Sequence, residues 1–145
     1  MPPTTLREQL IRDEGARRDA GGRHMPYRDS LGFLTIGFGR CLDRIGISEA
    51  EAAVLLDNDI MIAEQAVAAN VVGVESLDAV RRAVLANMAL NLGIAGLLGF
   101  RRFLGALRAH DWERAADEML ASRWHEQTGE RAERLAQQLQ TGVWV

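Results

Sequence analysis

Apolar and polar residues alternate at helical spacing along most of the chain, and two short polar motifs mark where helices begin. Residues 5–8 are Thr-Leu-Arg-Glu, and residues 48–51 are Ser-Glu-Ala-Glu. In such capping boxes the first hydroxyl and the later carboxylate bind each other's backbone N–H groups. The motifs predict a helix over residues 5–15, which ends at a glycine, and a long helix over about residues 48–70.

The second half of the chain has the same helical periodicity. It predicts a helix over residues 77–92, with Ser76 as a candidate cap, and further helical turns around residues 103–107. Asp111 is placed to cap another helix, and a last helix is expected over about residues 129–139.

Residues 16–47 have a different pattern, with several glycines and a short strand-like run at residues 33–36 that follows a turn signal. This pattern predicts a small hairpin. The chain is therefore expected to form one α+β, mostly helical domain over residues 1–145. A β-hairpin lobe would occupy about residues 16–47, and a helical lobe about residues 71–145, with the long helix connecting them.

One segment superficially resembles a membrane span. Residues 83–100 carry no formal charge and are flanked on each side by a pair of arginines. However, Asn87 and Asn91 lie four residues apart on one helical face, and three glycines from Gly93 onwards interrupt the helical pattern. A central helix buried in a globular lobe is the better interpretation, so we expect no stable membrane insertion.

The charge balance gives no general reason to expect a nucleic acid as a partner. The net charge is −3, and all 17 basic residues are arginine. Residues 48–80 contain no arginine, and their acidic residues give this stretch a charge of −7. A solvated helix face accounts for this stretch, and such a face slows the approach of an anionic polymer at low salt.

Cysteine and histidine usage argues against a disulfide or a metal site. Cys41 is the single cysteine, and we expect it to be a buried, unreactive thiol. His24, His110 and His125 are scattered without the spacing of metal ligands, so no metal and no cofactor are expected. The first residues have no basic region followed by an apolar run, so accumulation in the cytoplasm is expected.

Two carboxylates and a hydroxyl are candidates for chemistry. Glu14 ends the first predicted helix, Asp29 precedes the predicted turn, and Thr35 is on the strand that follows. Two carboxyl groups that hold a water between them are what acid–base hydrolysis of a glycosidic bond requires. From the residues alone, each also has a structural interpretation, because an aspartate often forms a turn and a threonine suits a strand.

An ordered set of segments that covers nearly the whole chain resembles the phage-type lysozymes, the T4 lysozyme-like endolysins of glycoside hydrolase family 24. A Thr-Ile-Gly-x-Gly run alone is a weak signal, but the segments occur here in the family's order. They are residues 12–15, 27–29, 35–39, 76–83, 91–93, 122–124 and 141–144. The resemblance implies a lysozyme-like fold with two lobes.

The resemblance also implies an activity, which is inverting hydrolysis of the β-1,4 bond between N-acetylmuramic acid and N-acetylglucosamine in peptidoglycan. Carried over by position, Glu14 is the general acid and Asp29 is the second carboxylate. Thr35 is then the hydroxyl near the attacking water. The poor leaving group explains why an acid is needed, since the sugar oxygen must be protonated as the bond breaks.

Three residues in the second half of the chain match positions that the resemblance assigns to substrate binding, namely Asn91, Arg123 and Arg131. In the family the arginine at the position of Arg131 pairs with the catalytic glutamate. Arg40 stands where the family has a histidine, so its role is open from the sequence.

The chain departs from the family between its two carboxylates. Fourteen residues separate Glu14 from Asp29, more than in the family, and the extra ones fall around residues 17–23. A loop insertion can bulge outward without moving its ends. Asp19 within it is a rival second carboxylate. The insertion contains three arginines, Arg17, Arg18 and Arg23. They form either a basic edge of the substrate cleft, called here the basic lip, that contacts anionic wall polymer, or a plain solvated loop.

Two other classes remain open. A lytic transglycosylase would use Glu14 alone and form an anhydro product. A non-catalytic protein that binds the wall or disrupts membranes is suggested by the apolar helix with its arginine flanks. For a lysozyme, the resemblance implies host lysis at the end of a phage cycle, with holin-dependent release from the host cytoplasm to the periplasm and cell wall. A monomer is the default expectation.

Overall fold

Seven helices and one small antiparallel sheet make up the computed structural model, which describes residues 1–145. A short 3₁₀ turn, Val74–Ser76, lies before the third helix. The elements are α1 (Leu6–Glu14), β1 (Tyr27–Arg28), β2 (Leu34–Ile36), β3 (Arg40–Cys41), α2 (Glu49–Asn70), α3 (Ala79–Leu98), α4 (Arg101–Arg108), α5 (Trp112–Leu120), α6 (Arg123–Thr128) and α7 (Glu130–Thr141). This architecture confirms the predicted α+β, mostly helical fold.

The chain divides into two compact units, Met1–Ala53 and Val54–Val145. The division falls within α2, whose first turn belongs to the first unit. That turn begins at the predicted capping box. The N–H of Glu51 donates to the hydroxyl of Ser48 at 3.1 Å, and the N–H of Ser48 donates to the Glu51 carboxylate at 2.9 Å.

The cap of α1 forms as a variant of the predicted box. The hydroxyl of Thr5 accepts from the N–H of Glu8 at 3.2 Å. The Glu8 carboxylate reaches one residue further back than expected, where it accepts from the N–H of Thr4 at 2.7 Å. Hydrogen bonds from the backbone N–H of Thr4, and next from its hydroxyl, lower the pKa of Glu8.

The sheet of the first unit has the order β1-β2-β3, with Thr35 at its centre. Thr35 pairs with Tyr27 on one side and with Cys41 on the other. The sequence pattern does not predict β3, since two residues are too few to show an alternating period. Cys41, expected to be buried, is half-buried at this edge.

The second unit contains the main hydrophobic core. Its largest fully buried side chains come from α3, α4, α5 and α7: Leu85, Met88, Leu97, Phe103, Met119 and Leu139. Trp124 of α6 is 3% exposed, as expected for a packing residue. The predicted helix starting at the Asp111 cap forms as α5, where the Asp111 carboxylate accepts from the N–H of Arg114 at 3.1 Å.

One prediction for the second unit is corrected, and one element is missed. Asp78, not Ser76, caps α3, because its carboxylate accepts from the N–H of Arg81 at 2.9 Å. The hydroxyl of Ser76 instead donates to the carbonyl of Gly73 at 2.8 Å. The predicted interruption at Gly93 is confirmed, since its φ of 74° is non-helical and marks a kink in α3, after which helical turns continue to Leu98. Helix α6 is too short for periodicity to predict.

The apolar segment from the sequence analysis lies mostly in α3. No single helix of the chain has both the length and the apolar character needed to cross a membrane. Helices α3 and α4 reach that length and composition only as a pair, which is bent by 99°.

Candidate active site

Glu14 is the last residue of α1, and its carboxyl group lies against Gly39. A Cβ atom at Gly39 would be only 2.9 Å from Oε2 and 3.2 Å from Cδ of Glu14. Gly39 also has a φ of 87°, which residues with a side chain rarely adopt. The backbone conformation therefore favours glycine, and a side chain at this position would displace the Glu14 carboxyl group.

Gly39 belongs to the three-residue turn that joins β2 to β3, because Ile36 and Arg40 on either side of it are paired. The turn reads Gly37-Phe38-Gly39, and both glycines have positive φ. The carboxyl group of the predicted general acid is thus placed at one end of the small sheet by a turn of that sheet.

Asp29 follows β1 and builds the turn to β2 with one of its two carboxylate oxygens. Oδ1 accepts from the N–H groups of Leu31 and Phe33, each at 2.9 Å. Oδ2 makes no hydrogen bond within the protein, so it can accept a proton or a hydrogen bond from a water. This division gives Asp29 both a structural role and a free oxygen for chemistry.

Thr35 lies in the middle of β2 and is 3% exposed. Its hydroxyl donates to the carbonyl of Phe33 at 3.1 Å. Because the proton is engaged there, the oxygen can act toward a water only as an acceptor.

The backbone of Phe33 connects Asp29 with Thr35. Its N–H donates to Asp29 Oδ1, and its carbonyl accepts both from the Asp29 N–H at 2.9 Å and from the Thr35 hydroxyl. The guanidinium of Arg44 lies 5.2 Å from the centre of the Phe33 ring. One residue thereby fixes the positions of the second carboxylate and the hydroxyl relative to each other.

Asp19, the rival second carboxylate, is fully engaged in its own loop. Oδ1 accepts from the N–H groups of Gly21 and Arg23, each at 2.9 Å, and Oδ2 accepts from Nε of Arg23 at 2.6 Å. Hydrogen bonds from the backbone and side chain of Arg23 lower the pKa of Asp19. With both oxygens occupied, Asp19 forms a turn, and Asp29 is the better candidate for the chemistry.

The arginines of the insertion hold it in place. Arg17 donates to the carbonyl of Pro26 at 3.0 Å, and Arg18 donates to the carbonyl of Gly22 at 3.3 Å. These two guanidinium groups have no carboxylate partner, whereas that of Arg23 is paired with Asp19. The basic lip stays a prediction, with Arg17 and Arg18 as its uncompensated charges.

Arg40, whose role was open from the sequence, joins the sheet to the start of α2. It donates two hydrogen bonds to the carboxylate of Glu51, at 2.7 and 2.8 Å. Together with the Ser48 N–H, this pair lowers the pKa of Glu51 to about 2. In this structure Arg40 links β3 to the first turn of α2 by an ion pair within the first unit.

In the second unit α3 presents two asparagines that hold the other predicted site residues. Trp124 donates from its indole N–H to Asn91 Oδ1 at 2.6 Å. Arg131 donates to Asn87 Oδ1 from Nε at 2.9 Å and from Nη2 at 2.6 Å. Arg123, the first residue of α6, is exposed and forms no hydrogen bond through its side chain.

Asn87 and Asn91 occupy successive turns of one face of α3, so Arg131 and the α6 residues are brought to that face. The side-chain amide NH₂ of Asn91 has no partner in the protein and is exposed. The pairing of Arg131 with Glu14 that the resemblance implies stays a prediction. Sequence reasoning missed Asn87 as a site residue, although its spacing from Asn91 on one helical face is the signal that marks it.

No cluster of three or more metal-ligating side chains occurs in the structure. The chemistry that these side chains can perform is proton transfer, with one carboxyl group at Gly39 and another next to a hydroxyl.

Comparison with known proteins adds to this geometry. A model of the phage lysozyme family matches residues 17–140, a segment that begins just after Glu14. The chain is 24% identical to probable T4-type lysozyme 1 of Dictyostelium discoideum over 97% of its own length and 96% of that protein. A second lysozyme of the same organism, probable T4-type lysozyme 2, is 25% identical over the same shares.

The chain is also 28% identical to the pre-baseplate central spike protein Gp5 of Enterobacteria phage T4. That match covers 97% of this chain but 29% of the spike protein. Because the family model spans most of the chain, this protein belongs to the phage lysozyme family and is a glycoside hydrolase of the lysozyme type.

Proposed function

We propose that this protein hydrolyses the β-1,4 bond between N-acetylmuramic acid and N-acetylglucosamine in bacterial peptidoglycan, by an inverting mechanism. The observation that carries the proposal is the arrangement of the small sheet. One of its turns seats the Glu14 carboxyl group, and the other turn and the central strand position Asp29 and Thr35 through Phe33.

Each residue has one task in this mechanism. Glu14 donates its proton to the glycosidic oxygen as the bond to the sugar carbon breaks, so the leaving sugar departs as an alcohol. A water attacks that carbon from the opposite face and loses a proton to the free Oδ2 of Asp29. The Thr35 oxygen accepts a hydrogen bond from the same water and orients it. One proton leaves Glu14 and one arrives at Asp29, which balances the reaction.

Removing the proton of Glu14 while keeping its shape tests the enzymatic proposal. Glu14→Gln should lower the rate of peptidoglycan hydrolysis by at least about 100-fold, the usual contribution of a general acid. Asp13→Asn is the matched control, because Asp13 is the neighbouring exposed carboxylate and is paired with Arg12. A Glu14→Gln protein that still lyses purified sacculi would show that Glu14 is not the general acid. If instead neither the wild type nor Glu14→Gln releases muropeptides, the alternative of a non-catalytic protein that binds the wall or disrupts membranes is favoured.

The products decide between hydrolysis and transglycosylation. Mass analysis of digested peptidoglycan should show reducing-end muropeptides that carry one added water. Anhydro ends would mean that a lytic transglycosylase with Glu14 as its single carboxylate is the right description. Proton NMR of the first product should show the inverted anomer.

The biological setting is also part of the proposal. We place the protein in host lysis at the end of a phage cycle, acting as a monomer that is held in the host cytoplasm until a holin releases it to the cell wall. The similarity to a baseplate spike protein supports a second setting, in which a lysozyme of this kind acts from a phage particle. Purified virions that contain the protein would favour the particle, and a free pool in infected cells would favour the holin route.

A further inference from the structure

The segment that lengthens the spacing between Glu14 and Asp29 has a defined structure, a small hairpin over residues 17–25 that we call the inserted hairpin. Arg18 and His24 form an antiparallel bridge across it, and the N–H of Met25 donates to the carbonyl of Arg17 at 2.9 Å. The Asp19 turn closes its tip. Because Arg18 and His24 are directly opposite each other, their side chains point to the same face of the hairpin.

On that face both side chains contact one residue, Phe38. The guanidinium of Arg18 lies 5.7 Å from the centre of the Phe38 ring, within the range of a cation–π contact. The His24 ring lies 4.9 Å from the Phe38 ring, edge to face at 73°. The buried Nδ1 of His24 has no hydrogen-bond partner. With no hydrogen bond at Nδ1, the edge-to-face contact with Phe38 is the interaction that holds this imidazole.

Phe38 is the middle residue of the turn between β2 and β3, and it is the only residue of that turn with a side chain. Its neighbours, Gly37 and Gly39, are the residue type with the greatest backbone freedom. Phe38 therefore supplies the only side chain through which the turn itself can pack against other residues. The Glu14 carboxyl group lies directly against the third residue of the turn, Gly39.

We propose that the inserted hairpin positions the general acid: Arg18 and His24 hold Phe38, and Phe38 fixes the turn that seats the Glu14 carboxyl group. This inference rests on the proposed function, since it assigns Glu14 the role of acid. Phe38 is a positioning residue that acts through Gly39. The extra residues between Glu14 and Asp29 thus help to hold the turn against which the Glu14 carboxyl group packs.

The test separates the aromatic ring of Phe38 from its bulk. Phe38→Leu keeps an apolar side chain but removes the face that Arg18 and His24 contact, and Phe38→Tyr keeps that face. On soluble peptidoglycan fragments, the leucine variant should have a kcat about tenfold lower with KM within about twofold, since only the reacting geometry loosens. The tyrosine variant should retain the wild-type kcat. Ile45→Ala, at a 70% exposed apolar residue of the same unit, is the control and should also retain it.

A double-mutant cycle of Arg18→Gln with Phe38→Leu then tests the link to the hairpin. If Arg18 acts through the ring, the two losses in kcat should be less than multiplicative. Thermal unfolding of every variant shows whether a lower kcat reflects a smaller folded fraction, a result that would overturn the inference. A leucine variant with wild-type kcat would overturn it as well.

Glu14→Gln measured in parallel separates this inference from the proposed function. If that variant is inactive while Phe38→Leu is unimpaired, the lysozyme mechanism stands and the positioning role is wrong. If Glu14→Gln remains active, the proposed mechanism fails because Glu14 is not the general acid, and the positioning role then has no acid to act on.

Discussion

The carboxyl group of Glu14 packs directly against Gly39: a Cβ atom at that glycine would be 2.9 Å from Oε2 and 3.2 Å from Cδ of Glu14. The φ of 87° favours glycine at this position, and the close approach means that any added side chain would displace the Glu14 carboxyl group.

Gly39→Ala should therefore impair both stability and catalysis. The left-handed backbone conformation costs an alanine about 1–2 kcal/mol in the free energy of unfolding. The new methyl group would also push the Glu14 carboxyl group away, and a displacement of about 1 Å can cost roughly 100-fold in rate. Urea unfolding and peptidoglycan hydrolysis measure the two effects.

Gly46→Ala is the matched control, because Gly46 has a φ of 67° in the same unit but open space at its Cβ position. It should lose stability to a similar degree and keep its activity. Equal activities of the Gly39 and Gly46 variants would contradict the placement of Glu14.

The two candidate carboxylates of the first unit should respond differently to conversion to amides. In Asp29→Asn the amide oxygen can still accept from Leu31 and Phe33, so the turn is retained, while the free Oδ2 is replaced by an NH₂ group that cannot accept a proton from water. We expect a fall in activity of about 100-fold with little change in stability. Asp19→Asn should stay within about twofold of wild-type activity, because an exposed ion pair contributes little. The reverse order of activities would identify Asp19 as the second carboxylate.

The ion pair between Arg40 and Glu51 should give the first unit a pH-dependent stability. The pKa of Glu51 is lowered from 4.5 to about 2 in the folded protein, so the folded state favours the charged carboxylate. The stabilisation is therefore complete above about pH 5 and is lost as the pH falls toward 2. Glu51→Gln should lower the urea midpoint at pH 7, and this difference from wild type should shrink steadily on acidification.

Glu49→Gln serves as the control for that series. Glu49 is also in the first turn of α2, so it shares the favourable position near the helix N-terminus. Glu49 has no ion pair. The urea midpoint of Glu49→Gln should therefore differ only slightly from that of wild type, and this difference should not shrink between pH 5 and 2 as the Glu51→Gln difference does. A pH-independent effect of Glu51→Gln would show that the Arg40 pair does not stabilise the fold.

The sequence predicts the elements with strong periodicity and clear caps, such as α1 and the start of α2. It does not predict β3 or α6, because elements of two and six residues show no readable period and are fixed by tertiary contacts. The prediction of Ser76 as a cap is wrong for a different reason. Asp78 is closer to the first turn of α3, and its carboxylate is a stronger acceptor for the N–H of Arg81.

At the candidate site, the resemblance predicts Glu14, Asp29 and Thr35 as the catalytic residues. The sequence cannot show that Phe33 joins the latter two, since that link runs through backbone groups. Nor does it decide between Asp19 and Asp29, because both precede a glycine in a turn-forming segment. The two residues differ in whether a carboxylate oxygen is left without a hydrogen-bond donor. Asp29 keeps one such oxygen and Asp19 keeps none, and this depends on the three-dimensional structure of each loop.

The two polar ends of the Asn91 amide should have separable roles in stability and substrate binding. Its oxygen accepts from the indole N–H of Trp124, a residue that is 3% exposed. Asn91→Leu leaves that buried N–H without an acceptor and should lower the free energy of unfolding by about 1–3 kcal/mol. Asn91→Asp retains an acceptor for the indole but removes the exposed NH₂ that could donate to a sugar. The aspartate variant should therefore keep most of its stability while its KM for peptidoglycan fragments rises several-fold. An aspartate variant with wild-type KM would restrict Asn91 to holding Trp124, and a leucine variant as stable as wild type would remove that role too.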